Sequence, residues 1–134
     1  MGLILLASGS LFRIWAMETL GRLFTFQLTV RKKHKVINSG PFGLVRHPSY
    51  TGALIMVLGE FVVLQTGNIG QRYLGSSSRS SWVITLISAI PVCMTLAVIL
   101  PRIEREEAML VDGLGQEYRQ YRKQVPRRLI PGVL

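Results

Sequence analysis

The sequence has one cysteine, Cys93, so it can build neither an internal disulfide framework nor a paired-cysteine zinc site. Its two histidines, His34 and His47, are too few and too far apart for a zinc site, so no metal is expected. It holds no GxGxxG run and no P-loop. Acidic residues are scarce, seven against sixteen Lys+Arg, which leaves a net charge of +9. Charged residues of all kinds make up only 17%, and the mean hydropathy is +0.34. That balance excludes disorder, which needs low hydrophobicity and high charge. A basic chain can bind nucleic acid, but these basic blocks lack the interleaved aromatics of a single-strand surface, so no nucleic-acid partner is expected. Here the positive charge accompanies long apolar runs. A length of 134 residues allows one domain, residues 1–134, and the pairing of apolar runs with basic ends suggests a small integral membrane protein.

The clearest membrane segment is WVITLISAIPVCMTLAVIL, residues 82–100, without a charge. As a helix it is ~28 Å long, close to the thickness of a hydrocarbon core. Pro91 stands near its middle and predicts a kink. A second segment is YTGALIMVLGEFVVLQ, residues 50–65, in which Gly52 and Gly59 permit close helix packing. A third runs over residues 2–28, apolar at first and then carrying Arg13, Glu18 and Arg22. Glu18 and Arg22 are spaced to pair on one helix face. The abrupt Met1 start has no basic residues before the apolar run, which favours a membrane helix over a signal peptide. The expected architecture is all-α: an integral membrane bundle of three transmembrane helices with a cytosolic C-terminal helical segment.

Charge sets the topology. Arg31, Lys32, Lys33, Lys35 and Arg46 form a basic segment without acids, while the loop over residues 66–81 holds only Arg72 and Arg79. Two spans separate the basic segment from the C-terminal tail, so both lie on one side, and the positive-inside bias makes that side cytosolic. The Ser/Gly-rich loop is then expected to be exposed on the other side. The run Arg31-Lys32-Lys33 reads as a topology signal or an anionic-lipid contact.

Two polar segments are too specific for mere connectors. The first is HKVINSGPFGLVRHPSYTG, residues 34–52. Gly40-Pro41 forces a turn, and Pro48 holds His47 out of the helical region while suiting the first turn of the next helix. Arg46, His47 and Tyr50 are thereby placed at a helix N-terminus, a favourable place for an anion. The second is PRIEREEAMLVDGLGQEYRQYRKQVPRRLIP, residues 101–131. Arg102 and Glu106 share a helix face, with Glu107 beside them. Glu104 and Glu107 read as solvated helix charges. Gly113 and Gly115 are expected to break the helix, and Tyr118, Tyr121 and Val125 then form a stripe suited to the membrane surface.

GPFGLVRHPSYTG, followed after a helical hairpin by RIEREEAMLVDGLGQEYRQYRKQVP, resembles the isoprenylcysteine carboxyl methyltransferase family. RHPxYxG alone is shared with other membrane methyltransferases and some sterol reductases. The HxVxxSG before it and EExxL…GxEYxxYxxxVP after it narrow the choice. The resemblance covers about residues 27–131, a catalytic half. It implies an integral membrane enzyme that uses S-adenosyl-L-methionine to methylate the C-terminal carboxylate of prenylated cysteine, in eukaryotes at the endoplasmic reticulum membrane. It places cofactor-binding positions on Gln27, His34, Lys35, Val36, Ile37, Phe42, His47, Pro48, Ser49, Tyr50 and Glu106. It places the substrate-binding and catalytic arginine on Arg102 and a second catalytic arginine on Arg46. The family usually has Tyr where this chain has Phe42, which removes one hydroxyl. The loop over residues 66–81 is longer than the usual hairpin turn, and the N-terminal helices of longer members are not seen.

Methyl transfer from a sulfonium to a carboxylate is an in-line displacement. A carboxylate with an unperturbed pKa of roughly 3.5 is already ionised at neutral pH, so no general base is needed. Catalysis reduces to positioning and desolvation. Arg46 and Arg102 would orient the carboxylate through forked hydrogen bonds, and Glu106 suits the α-amino group of the cofactor. Prenylated protein C-termini, or prenylcysteine-like small molecules, and the lipid bilayer are the implied partners. Two other readings stand beside this one. The acceptor could be a phospholipid amine or a small isoprenoid acid, or the chain could be a truncated membrane module that binds without catalysis.

Overall fold

The computed structural model describes residues 1–21, 36–66 and 78–129. Four α-helices account for most of them, and among the described residues there is no strand. They are α1 (Gly2–Leu20), α2 (Pro48–Thr66), α3 (Ser78–Leu114) and α4 (Gln116–Gln124), with a 3-10 turn at Gly40–Gly43 before α2. The first three are long and apolar enough to cross a membrane, as expected. α1 ends at Leu20, followed by Gly21 at φ 50°. Residues 22–28 of the expected first segment, with Arg22, the expected partner of Glu18, lie outside the described residues.

α1 and α2 pack as an antiparallel pair at very short range. A Cβ added to Gly52 would stand 2.8 Å from the Gly9 carbonyl oxygen and 2.9 Å from Arg13 Cβ. One added to Gly59 would stand 2.6 Å from the Leu6 backbone nitrogen. Helices in lipid gain no hydrophobic drive toward one another, so close backbone approach and dispersion must hold them. Glycine at these crossings is what permits it. Outside that seam the apolar side chains face outward, among them Leu3, Ile4, Leu11, Trp82, Leu86 and Ile90. In water such a surface would aggregate; in a bilayer it is the solvated face.

α3 has 37 residues and is therefore ~55 Å long, well beyond a hydrocarbon core of about 30 Å. Its apolar first half can span, and its second half, RIEREEAMLVDGL, extends past the membrane as one continuous helix through both Pro91 and Pro101. It begins at Ser78, so the end of the expected loop is already helical. Gly113 lies inside the helix and does not break it. Gly115 alone turns the chain, at φ 55°, the left-handed region that a Cβ disfavours. α4 then folds back, with Glu117 in its first turn and Arg122 and Lys123 in its last, the arrangement that complements the helix dipole.

The tertiary core sits at one end of the bundle. One cluster joins Ile99 and Ile103 of α3 to Leu129, with Tyr50, Ala53 and Leu54 packed against it. The second is Tyr118, Tyr121 and Val125, covered by Val36, Leu110, Val111 and Leu114. This corrects the membrane-facing reading of the Tyr118–Tyr121–Val125 stripe. Both tyrosines are at most 5% exposed and turn toward α3 and the chain before the 3-10 turn. The amphipathic period holds, but its apolar face meets protein instead of lipid.

Candidate active site

The turn before α2 is built by residues that restrict the backbone. Gly40 takes φ 58°, Pro41 is fully buried, and the 3-10 turn closes with the Leu44 N–H donating to the Pro41 carbonyl at 3.1 Å. Val45 is buried, which anchors Arg46 and His47 at the mouth of α2. The His47 carbonyl accepts from the N–H groups of Tyr50 and Thr51, both at 3.1 Å, and so starts the helix.

A C-terminal segment closes over this mouth. The Pro126 carbonyl accepts from Arg46 Nη2 at 3.3 Å, the Arg127 carbonyl from the Arg46 N–H at 2.9 Å, and the Arg128 carbonyl from the His47 N–H at 3.0 Å. The Leu129 carbonyl accepts from Thr51 Oγ1 at 2.6 Å. Four successive carbonyls therefore serve donors at the start of α2. The backbone donors of Arg46 and His47, expected to face an anion, are taken by the chain itself.

Two polar networks meet here. In the first, Arg102 Nε donates to the Tyr50 hydroxyl at 2.8 Å, and that hydroxyl donates to Glu106 Oε2 at 2.9 Å. In the second, Glu107 Oε1 lies 3.3 Å from both Arg46 Nη1 and His47 Nε2, and Glu107 Oε2 lies 3.5 Å from Arg128 Nη2. The His47 and Tyr50 rings stack at 5.7 Å between centroids and 25° between planes, joining the two. The neighbours Glu106 and Glu107 on α3 thus each serve one network.

Burial shapes the charges. Desolvation pulls the Arg46 guanidinium below its ordinary value, while Glu107 opposes that shift. Burial pushes the Tyr121 phenol up to about 12, so it stays protonated and donates to the Phe42 carbonyl at 2.7 Å. The Tyr118 phenol is also raised by burial. Its hydroxyl and Arg46 Nε are buried without a hydrogen-bond partner among the described residues.

Among the sequence-derived site residues, His47, Tyr50, Arg102 and Glu106 come together directly. Pro48 is buried at the start of α2 and Ser49 is half-buried beside it. Val36 packs over the tyrosine cluster and donates its N–H to Glu117 Oε1 at 3.3 Å, with Ile37 next in the chain. Phe42 enters through its carbonyl. Arg46 stands with Glu107, whereas Arg102 stands with Tyr50. Gln27, His34 and Lys35 lie outside the described residues, as does the run Arg31-Lys32-Lys33. The sequence reading missed Glu107, which is 5% exposed and no solvated charge. It also missed Arg128 and Tyr121. One signal was available for Glu107: a buried Arg46-His47 pair needs a carboxylate, and the Glu106-Glu107 doublet offers a second one.

A protein-family model described as the isoprenylcysteine carboxyl methyltransferase family matches residues 2–71. Protein-S-isoprenylcysteine O-methyltransferase B of Arabidopsis thaliana is 30% identical over 128 residues, covering 93% of this chain and 55% of that protein. The Schizosaccharomyces pombe protein-S-isoprenylcysteine O-methyltransferase is 33% identical, over 90% of this chain and 44% of its own length. The Homo sapiens protein of the same name is 30% identical, over 98% and 42%. The chain thus spans about half the length of the curated relatives it matches. No solved structure matches it. The family match runs through the turn that carries Arg46, His47 and Tyr50, and on that ground the chain belongs to the isoprenylcysteine carboxyl methyltransferase family.

Proposed function

We propose that this chain transfers a methyl group from S-adenosyl-L-methionine to the C-terminal carboxylate of a prenylated cysteine. The observation that carries the reading is the Arg102–Tyr50–Glu106 network, which sets a cation and a carboxylate on one helix face at the start of a membrane span. The donor set fits such a cofactor. The Glu106 carboxylate suits an α-ammonium group, and the stacked His47 and Tyr50 rings offer flat faces beside it. When bound, the cofactor supplies an electrophilic methyl on a sulfonium. In this reading the remaining family positions, Gln27, His34, Lys35, Val36, Ile37, Phe42, Pro48 and Ser49, serve the rest of the cofactor.

Arg102 orients the acceptor carboxylate in this reading, a role supported by the hydrogen bond that holds its Nε on Tyr50. Arg46 contributes from behind: buried and bound to Glu107, it holds the loop that presents His47. No residue has to take a proton, since the nucleophile is ionised at neutral pH. The prenyl chain would enter from the bilayer between helices, and in this reading the basic segment and C-terminus face the cytosol at the endoplasmic reticulum membrane.

The test is methyl transfer from labelled S-adenosyl-L-methionine to N-acetyl-S-farnesylcysteine, with the protein in lipid membranes, beside Arg102→Ala and Glu106→Ala. Base-labile label on the acceptor, lost in both variants, is the expected result. Cofactor binding without turnover would redirect the reading to another acceptor, such as a phospholipid amine, whose methylation should rise with pH as the amine deprotonates. Absence of both binding and turnover would leave a non-catalytic membrane module.

A further inference from the structure

Glu107 is the most deeply buried charge on α3 among the described residues, and its ion pairs go to Arg46, His47 and Arg128, outside the Arg102–Tyr50–Glu106 network. Its Oε1 serves two donors from consecutive residues, Arg46 Nη1 and His47 Nε2, both at 3.3 Å. Arg46 and Arg128 already place two guanidinium groups on one carboxylate, so charge balance alone does not require His47 there. What the His47 contact adds is orientation. A carboxylate accepts only, so Nε2 must carry the proton, and in a neutral imidazole Nδ1 is then the acceptor. The ring is held on two further sides. It stacks on Tyr50 at 5.7 Å, and its backbone N–H is fixed by the Arg128 carbonyl at 3.0 Å. Backbone, ring plane and tautomer are thus each held by a different partner, and only the last depends on Glu107.

We propose that Glu107 is a positioning residue that holds His47 as its Nε2–H tautomer and so presents Nδ1 as a hydrogen-bond acceptor to a hydroxyl or amino group of the bound methyl donor. This rests on the placement of His47 at the cofactor site in the preceding section. Glu106 then contacts the ligand directly and Glu107 acts on it only through His47, a division of labour between adjacent carboxylates. Arg128 and the carbonyls of residues 126–128 tie the same cluster to the C-terminal segment.

Two substitutions separate orientation from charge. Glu107→Gln keeps the reach and an oxygen acceptor for Nε2–H but drops the charge. Glu107→Asp keeps the charge for Arg46 but withdraws it by one methylene. The first readout is side-chain nitrogen NMR of the full chain in detergent micelles, without ligand. The chain has two histidines, and His47→Asn identifies the signal of interest. The wild type should show a single Nε2–H tautomer for His47. Glu107→Gln should retain it, and Glu107→Asp should give a mixture. The second readout is S-adenosyl-L-methionine affinity, expected to fall about tenfold or more in Glu107→Asp and less in Glu107→Gln.

A role limited to compensating Arg46 predicts the reverse order, with Glu107→Asp the milder change, and that order overturns the proposal. So does a wild-type His47 protonated on Nδ1. Wild-type protein that binds no S-adenosyl-L-methionine refutes the function reading instead, and the tautomer order still decides whether Glu107 holds His47.

Discussion

Tyr50→Phe removes a single oxygen and leaves the ring that stacks on His47. That oxygen accepts from Arg102 Nε at 2.8 Å and donates to Glu106 Oε2 at 2.9 Å, so two hydrogen bonds to charged groups disappear together. Each such bond contributes about 1.5–3 kcal/mol when buried. Tyr50 is only half-buried, and water can replace part of the loss, so the two together amount to about 2–3 kcal/mol. If the network sets the orientation of both the cofactor and the acceptor, kcat/KM falls roughly 30- to 150-fold. The same two bonds also hold the folded state, so the melting temperature in the same membranes should fall by several degrees, but no cavity is added because the ring against Ile99, Ile103 and Leu129 remains. The assay is steady-state methyl transfer with each substrate varied in turn, beside a thermal melt. Unchanged kcat/KM in a folded variant would refute the argument that the hydroxyl aligns Arg102 with Glu106. Activity lost only in proportion to the protein unfolded at the assay temperature would reduce Tyr50 to a packing residue.

Two further outcomes follow from the helix seam and from the buried tyrosines. Gly52→Ala puts a methyl 2.8 Å from the Gly9 carbonyl oxygen, against backbone that cannot swing aside, and should cost about 1–3 kcal/mol of stability by forcing α1 and α2 apart; unfolding of the variant in detergent, compared with wild type, measures it, and equal stability would show that the helices are not that close. The Tyr121 phenol, raised to about 12 against an unfolded value near 10, keeps its full contribution below pH ~10 and loses it as pH rises through about 12. Near-ultraviolet tyrosinate absorbance during an alkaline titration should therefore show late absorbance from both Tyr121 and Tyr118, whose phenol burial also raises; Tyr121→Phe should reduce its amplitude, and an unchanged amplitude in that variant would refute the assignment to Tyr121.

The membrane helices were legible because their signal is one-dimensional: residues 82–100 carry no charge, and no partner is needed to see that. The turn at residues 40–48 was legible because Gly40, Pro41 and Pro48 restrict the backbone locally. Glu107 and Tyr121 were not, for a common reason. Their environment is decided by segments about 60 and 80 positions away, and nothing in a run of EREE says which carboxylate will be covered. The same holds for the Tyr118–Tyr121–Val125 stripe, where periodicity gives the existence of an apolar face but not what lies against it. Gly113 and Gly115 differ by tertiary context too, since an isolated glycine in a helix costs only ~1 kcal/mol, which the packing of α3 overrides.

The carbonyls of residues 126–129 bond to Arg46, His47 and Thr51, some 80 positions earlier. In a chain made from its N-terminus onward, the α1–α2 hairpin can enter the bilayer and close its glycine seam long before those carbonyls exist. Membrane insertion and site assembly are therefore separate events in time. A ribosome that stalls after α3 leaves a correctly inserted bundle whose His47 has no backbone partner, so synthesis itself delays a competent site until the last turn of α4 has been passed.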